Sequence, residues 1–201
     1  MPDRSRLRAE SLAGVVTSPP GCVREHPDPA SVADYLHDES KLASTGIASL
    51  ALPRTLEELR AVMAWHAYAH HAVAVSGSRT GVTGGAVPEP GAHLVSLAEL
   101  RGVTEVQGEG DHPSATVLAG TWLSELTAHL ATHHPDLAFP VDPTETSASF
   151  GGMVATNAGG ARTYRFGAIR AWVERLTVEL PSGRTLRLRR GEERAEGGAL
   201  W

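Results

Sequence analysis

Val73-Ala74-Val75-Ser76-Gly77-Ser78-Arg79-Thr80-Gly81-Val82-Thr83-Gly84-Gly85-Ala86-Val87-Pro88 runs from a short apolar strand into a loop of glycines and hydroxyl-bearing residues. Glycines let backbone N–H groups turn inward around an anion, where larger side chains would block the approach. Ser and Thr hydroxyls add donors, and Arg79 adds a guanidinium fork suited to phosphate. The same residues also suit a glycine-rich turn with no ligand, and the stretch alone leaves both readings open. Gly77, Gly81, Gly84 and Gly85 do not make G-x-G-x-x-G, and no Gly-Lys-Ser/Thr follows, so neither dinucleotide fingerprint nor Walker loop applies. A second run, Gly151-Gly152-Met153-Val154-Ala155-Thr156-Asn157-Ala158-Gly159-Gly160, would hold another part of one large cofactor if folding brought the two together.

Outward from that loop, strand and helix signals alternate. Ile47 to Leu52 reads as a strand ended by Pro53. Thr55 with Glu58 makes a capping box for a helix from Leu56 to about His70, with Leu59, Val62, Met63 and His66 on one side. With Val73–Val75 this gives a small right-handed β-α-β unit, and the glycine loop leaves the carboxyl end of its second strand. Further strands are read at His93–Leu97, Val103–Val106 and Thr116–Ala119. A helix follows from Trp122 to His133, with Trp122, Leu126 and Leu130 repeating every four residues. Upstream, Pro29 suits a helix start, with Val32 and Leu36 on its apolar face. Downstream, Ser147 to Val154 makes a helical turn, and a strand around Trp172–Leu180 returns through Pro181-Ser182-Gly183 to Thr185–Leu188. Nothing after Arg190 reads as closing a domain, and the chain reads as truncated.

The 201 residues are 41% hydrophobic, enough for a real core, and the net charge of −5 argues against nucleic acid and acidic membrane surfaces. Cys22 is the single cysteine, which excludes an internal disulfide and a cysteine-based metal site or cluster. No run approaches a membrane span and no secretory signal is read, so the expected location is cytoplasmic, with peripheral association at the inner membrane face left open. His66, His70 and His71, then His129, His133 and His134, each contain an i,i+4 pair. Neither group shows a third ligand or a supporting shell, so no metal is assigned.

Three pieces together carry a family resemblance: Ser76 to Pro88, Val117 to Leu126, and Phe139 to Gly167, the last containing Asp142-Pro143-Thr144 and Tyr164-Arg165-Phe166-Gly167. From about Pro27 to Leu188 the chain resembles the N-terminal part of the vanillyl-alcohol oxidase/p-cresol methylhydroxylase-type FAD family. It is most similar to the D-lactate dehydrogenase and glycolate oxidase flavin-subunit branch. The resemblance implies an α+β, two-lobed FAD-binding domain: a small β-α-β lobe and a larger, mainly antiparallel sheet with flanking helices. It divides the chain into a flexible segment at 1–22, a first lobe at 23–98, an incomplete second lobe at 99–190 and a tail at 191–201. By position, Ser76, Gly77, Ser78, Arg79, Thr80 and Gly81 would wrap the diphosphate. Pro143, Thr144, Ser147, Gly151, Gly152, Thr156, Asn157 and Gly159 would line the ribityl and isoalloxazine side.

Relatives that attach FAD covalently in this loop carry a histidine at the position of Thr80, so the resemblance implies noncovalent FAD. It also implies a flavin-dependent oxidoreductase acting on CH–OH donors, taking a hydride from a 2-hydroxy acid of the D-lactate or glycolate type to flavin N5. Electrons would pass on to a quinone, a partner protein or oxygen. No catalytic base is nominated, and the 201 residues alone are expected to be inactive. The alternatives are an inactive fragment or a non-catalytic flavin-binding module, and, more distantly, a reductase of the cell-wall sugar-precursor pathway.

Overall fold

The structure, a computed structural model, describes residues 16–107, 112–142, 144–180, 182 and 184–192, together with the backbone of Ala195–Glu196 and Ala199–Leu200. The first sheet is built on two short strands that are buried except at His93. β2 (Ser49–Ala51) and β4 (His93–Ser96) pair in parallel, Ser49 opposite His93 and Ala51 opposite Val95. β1 (Val23–Glu25) adds antiparallel to the outside of β2, and β3 (Val73–Ser76) adds parallel to β4, giving the order β1-β2-β4-β3. The expected unit is therefore split: the helix α1 (Leu56–Tyr68) connects β2 to β3 across the inserted β4.

Side-chain alternation explains how this sheet is covered on both faces. Leu50 and Leu94 turn to one face and meet Val32 of the 3-10 segment Pro29–Tyr35 and Leu36, the residue that ends it. Ala51 and Val95 turn to the other and meet Val62 and Met63 of α1. Each such fully buried aliphatic side chain contributes about 1.5–3 kcal/mol. The cap of α1 is shifted from the expected box. Thr55 Oγ1 accepts the Glu58 N–H at 3.1 Å, but the Glu58 carboxylate accepts the N–H of Arg54 rather than of Thr55. The helix ends two residues before the expected His70, which stands at φ +53° and reverses the chain.

A second core forms around α2 (Leu123–His133) and α3 (Phe150–Thr156), with Leu123, Leu126, Leu130, Val141, Phe150, Met153 and Ile169 buried together. Val103, Val106 and Val117 pack on it from an antiparallel pair, β5 (Val103–Gln107) and β6 (Ser114–Val117). β6 lies earlier than Thr116–Ala119, because Leu118 to Gly120 leaves the ladder to turn against Leu97–Leu100. Trp122 is not in the helical stripe. It is the N-cap residue, with its ring 3.9 Å from the Arg101 guanidinium, and Glu125 accepts its N–H at 2.7 Å.

After α4 (Thr163–Phe166), a 3-10 turn at Ile169–Trp172 anchors Ile169 in this core, so β7 (Arg175–Glu179) begins later than Trp172. β7 pairs with β8 (Thr185–Arg189) in the expected hairpin, whose turn residues Pro181 and Gly183 lie outside the described residues. Glu179 of β7 receives Arg60 of α1 at 3.0 Å and the Thr185 hydroxyl at 2.6 Å, tying the hairpin to the first sheet. Farther on, β9 (Ala195–Glu196) and β10 (Ala199–Leu200) make a short antiparallel pair.

Candidate cofactor site

Ser76 ends β3, and its side chain lies at the carboxyl edge of the parallel strands with 2% of its surface exposed. Neither Ser76 Oγ nor Ser78 Oγ has a hydrogen-bond partner among the described residues, although both atoms are buried. Orphaned hydroxyls of this kind cost about 1–3 kcal/mol each, so two of them two residues apart at a strand end call for an acceptor. Gly81, farther along the loop, would meet nothing within 4 Å if it carried a Cβ, and its φ does not require glycine. The chain itself does not need a glycine there, whereas a ligand lying on the backbone would.

Arg79 packs on an aromatic ring of the chain itself. It stands at φ +59° with its guanidinium over the Tyr35 ring at 4.7 Å and Nη1 3.4 Å from the Gly77 carbonyl. The far side of the loop is held by Asp38, a carboxylate only 4% exposed. Ser40 gives it an N–H at 2.9 Å and a very short hydroxyl contact. Burial pushes the Asp38 carboxyl up. The Ser40 hydroxyl and N–H and the backbone N–H groups of Ala86 and Gly84 more than offset this and leave it below its ordinary value.

The two glycine runs do meet, and the residue joining them is one that the sequence reading missed. Ser149, buried just before α3, accepts the Ser78 N–H at 3.4 Å. A Cβ on Gly77 would overlap the Ser149 hydroxyl, so the close approach of the runs depends on that glycine. A polar residue directly ahead of the Phe150-Gly151-Gly152 helix start was the available signal, since such positions favour helix caps.

The remaining predicted contacts divide into free and occupied groups. Thr80 is half-buried and Thr144 is exposed, while Pro143 lies outside the described residues. The Ser147 hydroxyl is spent on Glu145 at 2.7 Å, and Thr156 Oγ1 donates to the Gly152 carbonyl at 3.0 Å. Asn157 takes the left-handed conformation at the end of α3, and its Oδ1 accepts the Arg170 N–H at 3.2 Å. Gly151 is pressed against Ala119, and Gly159 against Thr163, where a Cβ would fall 2.9 and 2.6 Å from the nearest atoms. Gly152 is exposed, and a Cβ on it would lie 3.0 Å from Ser149 Oγ.

The FAD binding domain family model matches residues 47–189 of this sequence. The chain belongs to the FAD-binding domain family. The family read from the three motifs holds, as does its α+β flavin-binding fold, and FAD is the cofactor of the family. The chain is 37% identical over 162 residues to a D-2-hydroxyglutarate dehydrogenase of Xanthomonas citri pv. viticola, covering 80% of this chain and 34% of that protein. It is 33% identical over 156 residues to a D-lactate dehydrogenase of Anaerostipes hadrus, covering 77% and 32%. It thus spans about a third of the length of these relatives. Among solved structures, an alkyldihydroxyacetonephosphate synthase superposes with a TM-score of 0.72 at 18% identity, over 86% of this chain and 33% of that one. A chitooligosaccharide oxidase superposes at 0.68 and 16%, over 94% and 36%, a likeness of fold. Among the described residues, no helix of this FAD-binding domain is long and apolar enough to cross a membrane.

Proposed function

We propose that this chain is the FAD-binding portion of an oxidoreductase that oxidises a small D-2-hydroxy acid, and that it holds FAD noncovalently with the diphosphate at Ser76–Gly81. The observation that carries the diphosphate assignment is the pair of buried hydroxyls, Ser76 Oγ and Ser78 Oγ, that the chain leaves without partners. Phosphate oxygens accept from both, and the backbone at Gly81 gives them room. Ser149 fixes one side of the loop through the Ser78 N–H, Asp38 lies against the other, and Arg79 stays with Tyr35 as a loop brace. The region from Thr144 to Gly159 supports the flavin side mainly through backbone and helix position, since the Ser147, Thr156 and Asn157 side chains are engaged within the chain. Bound FAD supplies the hydride acceptor at N5, and the protein's share is positioning and electrostatics. The substrate class rests on the D-2-hydroxyglutarate and D-lactate dehydrogenases to which the chain is similar. A quinone or partner protein then takes the electrons.

The test is titration of apo-protein with FAD, read by flavin fluorescence, followed by acid precipitation. FAD binds, and the yellow chromophore goes into solution on denaturation, because Thr80 offers no imidazole for attachment. Ser76→Ala and Ser78→Ala each weaken binding about tenfold or more, from a lost hydrogen bond to a charged group. Flavin retained on the denatured chain overturns the noncovalent assignment. Unchanged affinity in both variants moves the diphosphate elsewhere.

A further inference from the structure

The fold assembles a histidine cluster that the sequence spacing did not contain. His70, the expected helical partner of His66, is exposed at the chain reversal. His71 takes its place, with Nδ1 at 3.0 Å from His66 Nδ1. His93, the first residue of β4, completes the group from a different element: its ring stacks on His71 at 3.7 Å and lies 5.2 Å from His66. One nitrogen from each of the three rings lies within 4.8 Å of the other two.

We propose that His66, His71 and His93 form a structural site for one divalent cation of the zinc class, clamping the end of α1 to the start of β4. Zinc–imidazole bonds of about 2.0–2.1 Å put two ligating nitrogens roughly 3.3 Å apart in tetrahedral geometry, close to the His66–His71 spacing. The His71 and His93 rings stack with their planes 6° apart, so binding one ion requires the half-buried His71 ring to rotate off that stack. The supporting shell is present too. Ser49 Oγ lies 2.7 Å from His93 Nδ1, and Ser49 is both fully buried and the cross-strand partner of His93. With Nδ1–H given to that hydroxyl, His93 Nε2 carries the ligating lone pair.

His66 is the most deeply buried of the three histidines. It is 2% exposed, and its Nε2 is buried with no partner among the described residues. Whichever way the proton lies between His66 and His71, one buried nitrogen of His66 is left unsatisfied by the chain. Glu25, opposite Ser49 in the same cross-strand row, adds a negative charge acting on His93. An all-imidazole set selects zinc, copper or nickel over magnesium and calcium. The cluster sits at the amino end of the parallel strands, while the Ser76 loop leaves from their carboxyl end. The site is therefore separate from the proposed diphosphate cradle.

The experiment uses the untagged 201-residue chain, stripped with a chelator and titrated with Zn²⁺ against a chromophoric competitor. One Zn²⁺ binds per chain and raises the melting temperature, and Mg²⁺ does neither. His71→Ala lowers Zn²⁺ affinity at least tenfold, and Ser49→Ala lowers it about tenfold, while FAD titrates both variants as it does the parent. The double change His129→Ala/His133→Ala leaves Zn²⁺ binding unchanged. Absence of stoichiometric Zn²⁺ binding, an equal response to Mg²⁺, or loss of binding with His129→Ala/His133→Ala and not with His71→Ala overturns the proposal. If His71→Ala does not fold, the melting shift of the parent chain still decides, since no shift with Zn²⁺ overturns it.

Discussion

Gly77→Ala is the smallest change that tests whether Ser149 sets the shape of the proposed diphosphate loop. The added methyl would overlap Ser149 Oγ, while the next atom, Ser149 Cβ, would lie at 3.4 Å, an ordinary contact. Two responses are open to the chain. The backbone can shift, at the usual overpacking cost of about 1–3 kcal/mol. Alternatively, Ser149 can rotate away, which leaves the Ser78 N–H without its acceptor at a cost of about 1–3 kcal/mol. Either route predicts a loss of about 1–3 kcal/mol in urea unfolding of the apo-protein. Where the strain falls on the binding conformation, FAD affinity drops about fivefold to a hundredfold. Ser149→Ala alone leaves the same Ser78 N–H without its acceptor and costs about 1–3 kcal/mol by itself. In the Ser149→Ala background the overlapping atom is gone, so Gly77→Ala becomes nearly neutral. The cycle then shows a coupling energy of about 1–2 kcal/mol, well above the error of additivity for independent sites. An equal cost of Gly77→Ala in both backgrounds would refute the reasoning and assign the glycine to the ligand or to backbone freedom instead.

Gly120→Ala is expected to be among the most damaging single changes, because its Cβ would fall on the Leu97 carbonyl oxygen and 2.8 Å from the Leu100 oxygen; unfolding free energy should drop by about 3 kcal/mol or more. Gly81→Val should weaken FAD binding more than Arg79→Ala, since Gly81 faces open space while Arg79 is already held over Tyr35; the reverse order in a fluorescence titration would make Arg79 a phosphate ligand. Asp38 lies below its ordinary 3.8 when folded, so its contribution is complete above that value and is lost as pH falls through the lower folded value; Asp38→Asn should flatten the acid limb of urea midpoints below pH 4. Glu125 is raised by burial but held down further by Arg101 and the Trp122 N–H, and it behaves with the same sign below its ordinary 4.5, which Glu125→Gln should remove.

The parts of this fold legible in the sequence are those decided within a few residues. The Thr55 cap, the strands at Val73–Val75 and His93, and the β7–β8 hairpin each follow from local pattern and turn chemistry. Trp122 misled because a four-residue repeat says nothing about which residue caps the helix. Its ring finds Arg101, and the helix starts one residue later. The position of β4 between β2 and β3 was not legible, since strand order depends on pairings between distant segments. The third histidine was hidden for the same reason: His93 reaches His66 and His71 only because β4 is inserted there.

Glycines show most clearly why a motif and a site are not the same thing. Gly77, Gly81, Gly151 and Gly159 all belong to the stretches that carry the family resemblance, and sequence treats them alike. In the fold, three of them are required by the chain itself: Gly77 by Ser149, Gly151 by Ala119 and Gly159 by Thr163. Only Gly81 meets open space with no demand on its φ. Conserving the shape of the two runs and leaving room for a ligand are thus separate physical tasks performed by the same residue type. The packing glycines bring Ser149 beside Ser78 and set α3 against the Ala119 turn. The loop that results buries two serine hydroxyls without giving them acceptors. It is this leftover hydrogen-bonding capacity, beside a glycine the chain does not need, that points to a diphosphate more directly than the count of glycines does.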